Sequence, residues 1–179
     1  MHLYFQLYPF YFILFSMVAI LYNIRSLHNV GSIFRTADAA GVEKIYLCGI
    51  TPTPKDKYGF DRRQLTKVSL GAEKYVPWEK VGSSPAPQKT LELIRKLKKD
   101  GYKIYAVEQS KKSVPYNKLK VKSKKLKEKI VLVVGNEIKG VASSILKMTD
   151  KIIEIPMYGK KESLNVAVAF GIVAFGMLK

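Results

Sequence analysis

The chain has 179 residues, enough for one domain with a proper core and hardly enough for two. Its 47% hydrophobic content excludes a disordered polar chain, and 31 Lys and Arg against 14 Asp and Glu give a formal charge of +17, which points to a polyanion, nucleic acid before anionic membrane. Cys48 is the only cysteine, which rules out an internal disulfide and a cysteine-rich zinc site, and the distant pair His2 and His28 carries no metal-ligand spacing, so no metal is expected.

Residues 3–22 contain no charge and only Gln6, Pro9 and Ser16 as interruptions, so by length they pass as a membrane helix. The same stretch ends in "MVAILYNIRS", whose β-branched residues read as a buried strand over 18–21. One segment does not serve as both. With the strand in place, residues 3–16 fall short of a bilayer span and Pro9 breaks them. Residues 1–16 are therefore expected to be a dispensable apolar extension, with the domain running from 17 to 179 and no membrane attachment.

A helix is expected over 29–40, with Val30, Ile33, Phe34 and Ala37 at the i, i+3, i+4, i+7 spacing, Asn29 as its cap and Gly41 as its stop. Arg35 lies opposite that stripe, where a solvated arginine is ordinary. "EKIYLCGI" (43–50) reads as a strand, followed by the turn-rich "TPTPKDKYG". "LTKVSLGAEKYVPWE" reads as a short helix and an extended segment, and 82–88 as a Ser/Pro loop. "KTLELIRKLKKDG" (89–101) is a helix with Leu91, Ile94 and Leu97 inward and Gly101 as its stop. "YKIYAVEQ" is a strand. Residues 89–129 hold 15 basic and 4 acidic residues, densest in "KLKVKSKKLKEK". Phosphate contact through Lys122, Lys124, Lys125 and Lys127 competes there with a solvated linker.

"KIVLVVGNE" is apolar throughout, the pattern of a parallel strand covered on both faces. A short helix at 141–146, a last strand "KIIEIPM" and an apolar helix at 164–178 complete the chain. The last helix is apolar almost all round and has to be buried on every side, which a dimer achieves more easily than one chain. The fold class is α/β, a mostly parallel sheet with flanking helices. There is no G-x-G-x-x-G opening a helix, no G-x-x-x-x-G-K-[ST] and no G-x-S-x-G, so dinucleotide, P-loop and serine-hydrolase chemistries lose their main support.

Parallel sheets bind ligands at the carboxyl ends of their strands. Three such ends carry unusual residues: "NIRSLHNVGSIFRTADAAG", "VLVVGNEIKGV" and "IIEIPMYGKKESLNVAVA". Each has a plain structural reading. Glu137 fits a tight turn with an acid at a helix N-terminus, and Ser163 and Asn165 are both good cap types.

In this order, "NVGSIFRTADAAG", "VVGNEIKGV" and "IEIPMYGKKESLNVAVA" resemble the three motifs of the SpoU, or TrmH-like, branch of the SPOUT RNA methyltransferases, and "CGITPTP", "KVSLGAE" and "AVEQS" resemble its linking segments. The resemblance runs from residue 17 to the end. It implies an α/β fold with a C-terminal trefoil knot. It also implies a homodimer that moves a methyl group from S-adenosylmethionine to a ribose 2′-hydroxyl of tRNA or rRNA. A cytoplasmic location follows and fits the lone cysteine. By position, it implies catalytic roles for Asn29, Arg35, Glu137, Ser163 and Asn165. It implies donor contacts, largely through backbone, for Gly135, Ile155 and Leu164, with the glycine permitting close approach. The resemblance makes Arg35 the proton acceptor for the 2′-hydroxyl. The alternative, since a guanidinium normally stays protonated, is that Arg35 grips a phosphate and stabilises developing alkoxide charge, and Glu137 holds Arg35 or a neighbouring donor. The rival reading is a non-catalytic basic RNA-binding protein, which explains the charge but needs none of these polar residues.

Overall fold

The structure, a computed structural model, describes residues 15–119 and 128–177. The lysines at 122, 124, 125 and 127, and the greater part of the apolar segment that precedes the domain, lie outside them.

Seven strands form one sheet: β1 (Phe15–Tyr22), β2 (Lys44–Cys48), β3 (Trp78–Val81), β4 (Lys103–Val107), β5 (Val114–Pro115), β6 (Glu128–Val134) and β7 (Lys151–Glu154). Their order is β3-β2-β1-β6-β4-β7-β5, and every strand pairing is parallel. Five α-helices connect them: α1 (Leu27–Ala39), α2 (Arg63–Ser69), α3 (Gln88–Lys99), α4 (Ser143–Leu146) and α5 (Val166–Met177).

Strand alternation sorts the core into two layers. On one face Met17, Ala19 and Leu21 of β1 and Ile130, Leu132 and Val134 of β6 pack with Ile33, Phe34 and Ala37 of α1 and Phe170, Val173 and Ala174 of α5. On the other face Val18, Ile20 and Tyr22 with Val131 and Val133 meet Ile94 and Leu97 of α3 and Ile145 of α4. Both faces of β1 and β6 are therefore apolar, as their sequences require. On the first face α1 is flanked by α2 and α5. A side chain at Gly31 would strike the Leu65 carbonyl of α2, so glycine sets the spacing of that helix pair.

Several boundaries differ from the sequence reading. β1 begins at Phe15, pairing Phe15 with Glu128 and Ser16 with Lys129. A domain edge at Met17 therefore cuts through a strand. α1 begins at Leu27, and its cap is Ser26, whose Oγ accepts from the Asn29 N–H. Asn29 lies inside the first turn, so its amide is free for other work. The last strand stops at Glu154, because the Pro156 nitrogen has no hydrogen to give a ladder. The short edge strand β5 escaped the sequence reading because two residues give no periodicity. α5 buries Phe170, Val173, Ala174 and Met177 but leaves Val168 and Phe175 exposed at 51% and 46%, so one chain does not cover it on every side.

The topology leaves one crevice. From β1 the chain moves outward to β2 and β3, then crosses to β4 and returns to fill the gap with β6. The carboxyl ends of β1, β6, β4 and β7 therefore face a common edge, the place where open parallel sheets bind ligands.

Candidate active site

Three of the segments singled out by the sequence meet at that edge. Glu137, in the turn after β6, points its carboxylate at the start of α1. Oε1 accepts from the Ser26 N–H at 3.0 Å and from Asn29 Nδ2 at 3.0 Å. The Arg25 N–H reaches Oε2 at 3.0 Å and Oε1 at 3.2 Å. The acid thus sits at a helix N-terminus, where unsatisfied N–H groups and the macrodipole favour negative charge, but the helix is α1 rather than the one that follows it in sequence. Burial works to raise the Glu137 pKa. The N–H groups of Ser26, Arg25 and Glu137 itself, with the Asn29 amide, outweigh burial and hold the carboxyl below its usual value.

Asn29 passes the connection on. Its Oδ1 accepts from Asn165 Nδ2 at 3.0 Å. Asn165 has a second task at the head of α5, where its Oδ1 accepts from the Ala167 N–H at 2.9 Å. One end of the Asn165 amide caps α5 and the other end donates to Asn29. Glu137, Asn29 and Asn165 form a continuous hydrogen-bonded bridge between the loops after β6 and β7 and the helix after β1.

The turn that carries Glu137 is fixed from below. Asn136 Nδ2 donates to the Asn23 carbonyl at 2.7 Å, and its Oδ1 accepts from the N–H groups of Ile138 and Lys139 at 3.0 and 2.9 Å. Glu108, just past β4, accepts from the Val141 N–H at 2.8 Å and from the Gln109 N–H at 3.1 Å. A side chain at Gly135 would run into the Gly140–Val141 backbone. Glycine is therefore required there by the close approach of its own loop.

Beside the bridge lies a cavity of about 270 Å³ at the carboxyl ends of β4, β6 and β7. Gly135, Ile155 and Leu164, the three expected donor contacts, all line it, as do Glu137, Ser163 and Asn165. Ile155, Met157, Leu164, Val166 and Ala169 supply apolar wall, and three acidic residues, Glu108, Glu137 and Glu154, also line it, with Glu108 and Glu137 bonded to N–H groups and Glu154 accepting from Ser113 Oγ. Apolar walls accept an adenine ring, and acidic residues attract a cation. The residues present fit S-adenosylmethionine, which carries both features.

Arg35 stands apart. It lies six residues beyond Asn29 on α1, a rise of about 9 Å, and its side chain is exposed. Glu137 is bonded to Asn29 and to backbone, not to Arg35. His28 is exposed on the first turn of α1. Among the described residues no group of three His, Cys, Asp or Glu is placed to hold a metal. Cys48 is buried, and burial pushes its thiol up to about 12, so it is an inert core residue. Asn136, Asn23, Ser26 and Glu108 were passed over in the sequence. Two of them carry a visible signal: Ser26 is a favoured cap type, and Glu108 is an acid set directly after an apolar strand.

The sequence model of the SpoU rRNA methylase family matches residues 16–175. A tRNA (guanosine(18)-2′-O)-methyltransferase of Aquifex aeolicus is 37% identical over 153 residues, covering 86% of this chain and 64% of the relative. The 23S rRNA (guanosine-2′-O-)-methyltransferase RlmB of Neisseria meningitidis serogroup B is 32% identical over 157 residues, 88% of this chain and 56% of the relative. The chain thus spans less than two thirds of the length of these curated relatives. Among solved structures, an AdoMet-bound rRNA methyltransferase from Sinorhizobium meliloti superposes with a TM-score of 0.75 at 29% identity, over 90% of this chain and 55% of that one. The A. aeolicus TrmH/SpoU tRNA modifying enzyme superposes with a TM-score of 0.71 at 33% identity, over 91% of this chain and 74% of that one.

Proposed function

The chain belongs to the SpoU rRNA methylase family, and from that premise we propose that it methylates a ribose 2′-hydroxyl of tRNA or rRNA with S-adenosylmethionine as donor. The observation that carries this reading is the Glu137–Asn29–Asn165 bridge at the mouth of an apolar, carboxylate-bearing cavity. A protein that merely binds RNA has no use for such a bridge beside such a cavity.

S-adenosylmethionine, when bound, supplies an electrophilic methyl group on a sulfonium that departs as a neutral thioether. The task left to the chain is the nucleophile. The 2′-oxygen has to be held in line with the S–CH₃ bond, and as the O–CH₃ bond forms its proton passes to solvent water at the mouth of the cavity. Gly135, Ile155 and Leu164 hold the donor in the cavity. Ser163, exposed at its mouth, and Asn165 orient the ribose. Glu137 keeps Asn29 turned toward Asn165. Arg35 supplies positive charge for a flanking phosphate and for the developing alkoxide.

The same reading includes a homodimer, supported by Val168 and Phe175 exposed on an otherwise apolar α5. A second copy covering α5 also covers α1, since Gly171 lies against Thr36. It includes the trefoil knot. Gly176 of α5 passes so close under Tyr116 that a side chain there would meet the tyrosine ring. Phosphate contact by Lys122, Lys124, Lys125 and Lys127 and a cytoplasmic location belong to it too. Among the described residues no helix is long and apolar enough to cross a membrane.

Calorimetric titration with S-adenosylmethionine, paired with a map of ribose methylation across total RNA with and without the gene, tests the proposal. Binding of the donor and loss of a ribose methyl group are expected. No donor binding would leave the rival, a non-catalytic RNA-binding protein.

A further inference from the structure

The segment between β2 and α2 is well ordered by its own bonds, yet it shows two large aromatic rings to solvent. Its base is pinned to the sheet. Thr51 Oγ1 donates to the Leu21 carbonyl at 2.8 Å and accepts from the Ile24 N–H at 3.0 Å. Lys80 Nζ donates to the carbonyls of Gly49 and Thr51 at 2.5 and 2.6 Å. Its tip closes as a hairpin, with Lys55 bridged to Asp61 in antiparallel sense. The Asp56 N–H donates to the Phe60 carbonyl at 2.8 Å, and Asp56 Oδ1 accepts from the N–H groups of Tyr58 and Phe60 at 2.9 and 3.0 Å. The Arg62 N–H donates to the Pro54 carbonyl at 2.8 Å.

Tyr58 and Phe60 are each 72% exposed at this tip. Neither ring serves the core, and a rigid hairpin presents them at little conformational cost. Their surroundings are cationic. Lys57 Nζ lies 4.8 Å from the centre of the Tyr58 ring, and Lys55, Arg62 and Arg63 flank the hairpin. Asp56 spends one carboxylate oxygen on the hairpin's own N–H groups, and with exposed Asp61 counted the four cations still outnumber the two acids, so the charge of the tip is positive.

The location ties the tip to the site. Thr51 bonds to Ile24, and the next residue, Arg25, gives its N–H to Glu137. The hairpin therefore rises from the same edge of the sheet as the Asn29–Glu137–Asn165 bridge. Exposed rings interleaved with cations suit the bases of an unpaired strand, each of which has a face to stack whatever its sequence, with phosphates on either side. A second copy of this chain, itself at +17, is repelled by these four cations.

We propose that Tyr58 and Phe60 stack on unpaired bases of the RNA whose ribose enters the site, with Lys57, Arg62 and Arg63 holding the adjoining phosphates. This rests on RNA being the substrate. The test is fluorescence anisotropy with a labelled single-stranded oligouridylate of about 12 nucleotides and a blunt duplex of equal length, using the full chain and Tyr58→Ala/Phe60→Ala. The double variant should bind the single strand about tenfold to a hundredfold more weakly, bind the duplex nearly as before, and keep the salt slope, since no charge is removed. Tyr58→Trp with Phe60 intact should keep the parent's single-strand binding and show emission quenched by oligouridylate beyond the change seen at Trp78 in the parent.

Unchanged single-strand affinity in the double variant, or no added quenching in Tyr58→Trp, overturns the hairpin while RNA as substrate stands. A parent chain that binds neither RNA overturns both. A double variant that keeps its RNA affinity but loses self-association in light scattering assigns the tip to a second copy and overturns the proposal.

Discussion

Asn165 Nδ2 donates to Asn29 Oδ1 at 3.0 Å, joining residues 136 positions apart. The same side chain caps α5 through its Oδ1. Two substitutions separate the tasks. Asn165→Ala removes both, and should cost about 0.5–2 kcal/mol of stability for the lost cap along with methyl transfer. Asn165→Asp keeps an acceptor for the Ala167 N–H but has no donor for Asn29 and faces Glu137 with like charge. It should melt close to the parent and still lose transfer. A transfer rate in Asn165→Asp equal to the parent's would remove the bridge from the mechanism.

The hydrogen bonds that hold the Glu137 carboxyl below its ordinary value give a pH dependence with a fixed sign. A depressed folded pKa means that the carboxylate stabilises the fold above the unfolded pKa of about 4.5, and that this contribution is lost as pH falls through the folded value. Thermal melts of the parent and Glu137→Gln should therefore differ most near neutrality and converge in acid. A gap that stays constant down to about pH 3 would show that ionised Glu137 contributes nothing to stability.

Arg35 is the assignment that geometry supports least, because it is exposed and lies outside the bridge. Arg35→Ala should leave donor affinity intact and lower transfer by roughly 10²–10⁴-fold. Arg35→Lys recovers much of the rate if charge alone matters and little if a planar bidentate contact does. Near-normal turnover in the alanine variant would discharge Arg35 from catalysis.

The edge of β1 is open to a direct trial. Ser16 is buried and its Oγ donates to Glu43 Oε2 at 2.5 Å. Removing residues 1–14 should leave the melt unchanged. Removing residues 1–16 also takes this bond and two rungs of the ladder to β6, with a cost of about 0.5–1.5 kcal/mol for each hydrogen bond lost. Identical melts for the two truncations would place the start of the domain at Met17 after all.

The parts of this fold that were legible in the sequence are those with a period. β6 is apolar on every residue from Ile130 to Val134 and could only be a covered parallel strand, and α3 showed its stripe plainly. What escaped has no period. Ser26 outcompeted Asn29 for the cap of α1, although both are good caps and only the turn geometry decides between them. The pairing of Glu137 with α1 links loops more than a hundred residues apart, and local spacing carries no record of it. The roles of Asn23 and Asn136 are likewise set by which strands become neighbours, here β1 and β6. The resemblance of three ordered motifs singles out Glu137, Asn29 and Asn165, and only the fold shows that they are hydrogen-bonded to one another.

Transfer of a methyl group to a ribose 2′-oxygen leaves a signature that alkaline hydrolysis reads. A methylated 2′-oxygen no longer attacks the neighbouring phosphodiester, so that linkage survives alkali. After incubation of the full chain with total RNA and S-adenosylmethionine labelled in its methyl group, the label should appear in alkali-resistant dinucleotides, and Asn165→Asp should abolish it. Label released in mononucleotides, or no label in RNA from a preparation that binds the donor, would contradict the account.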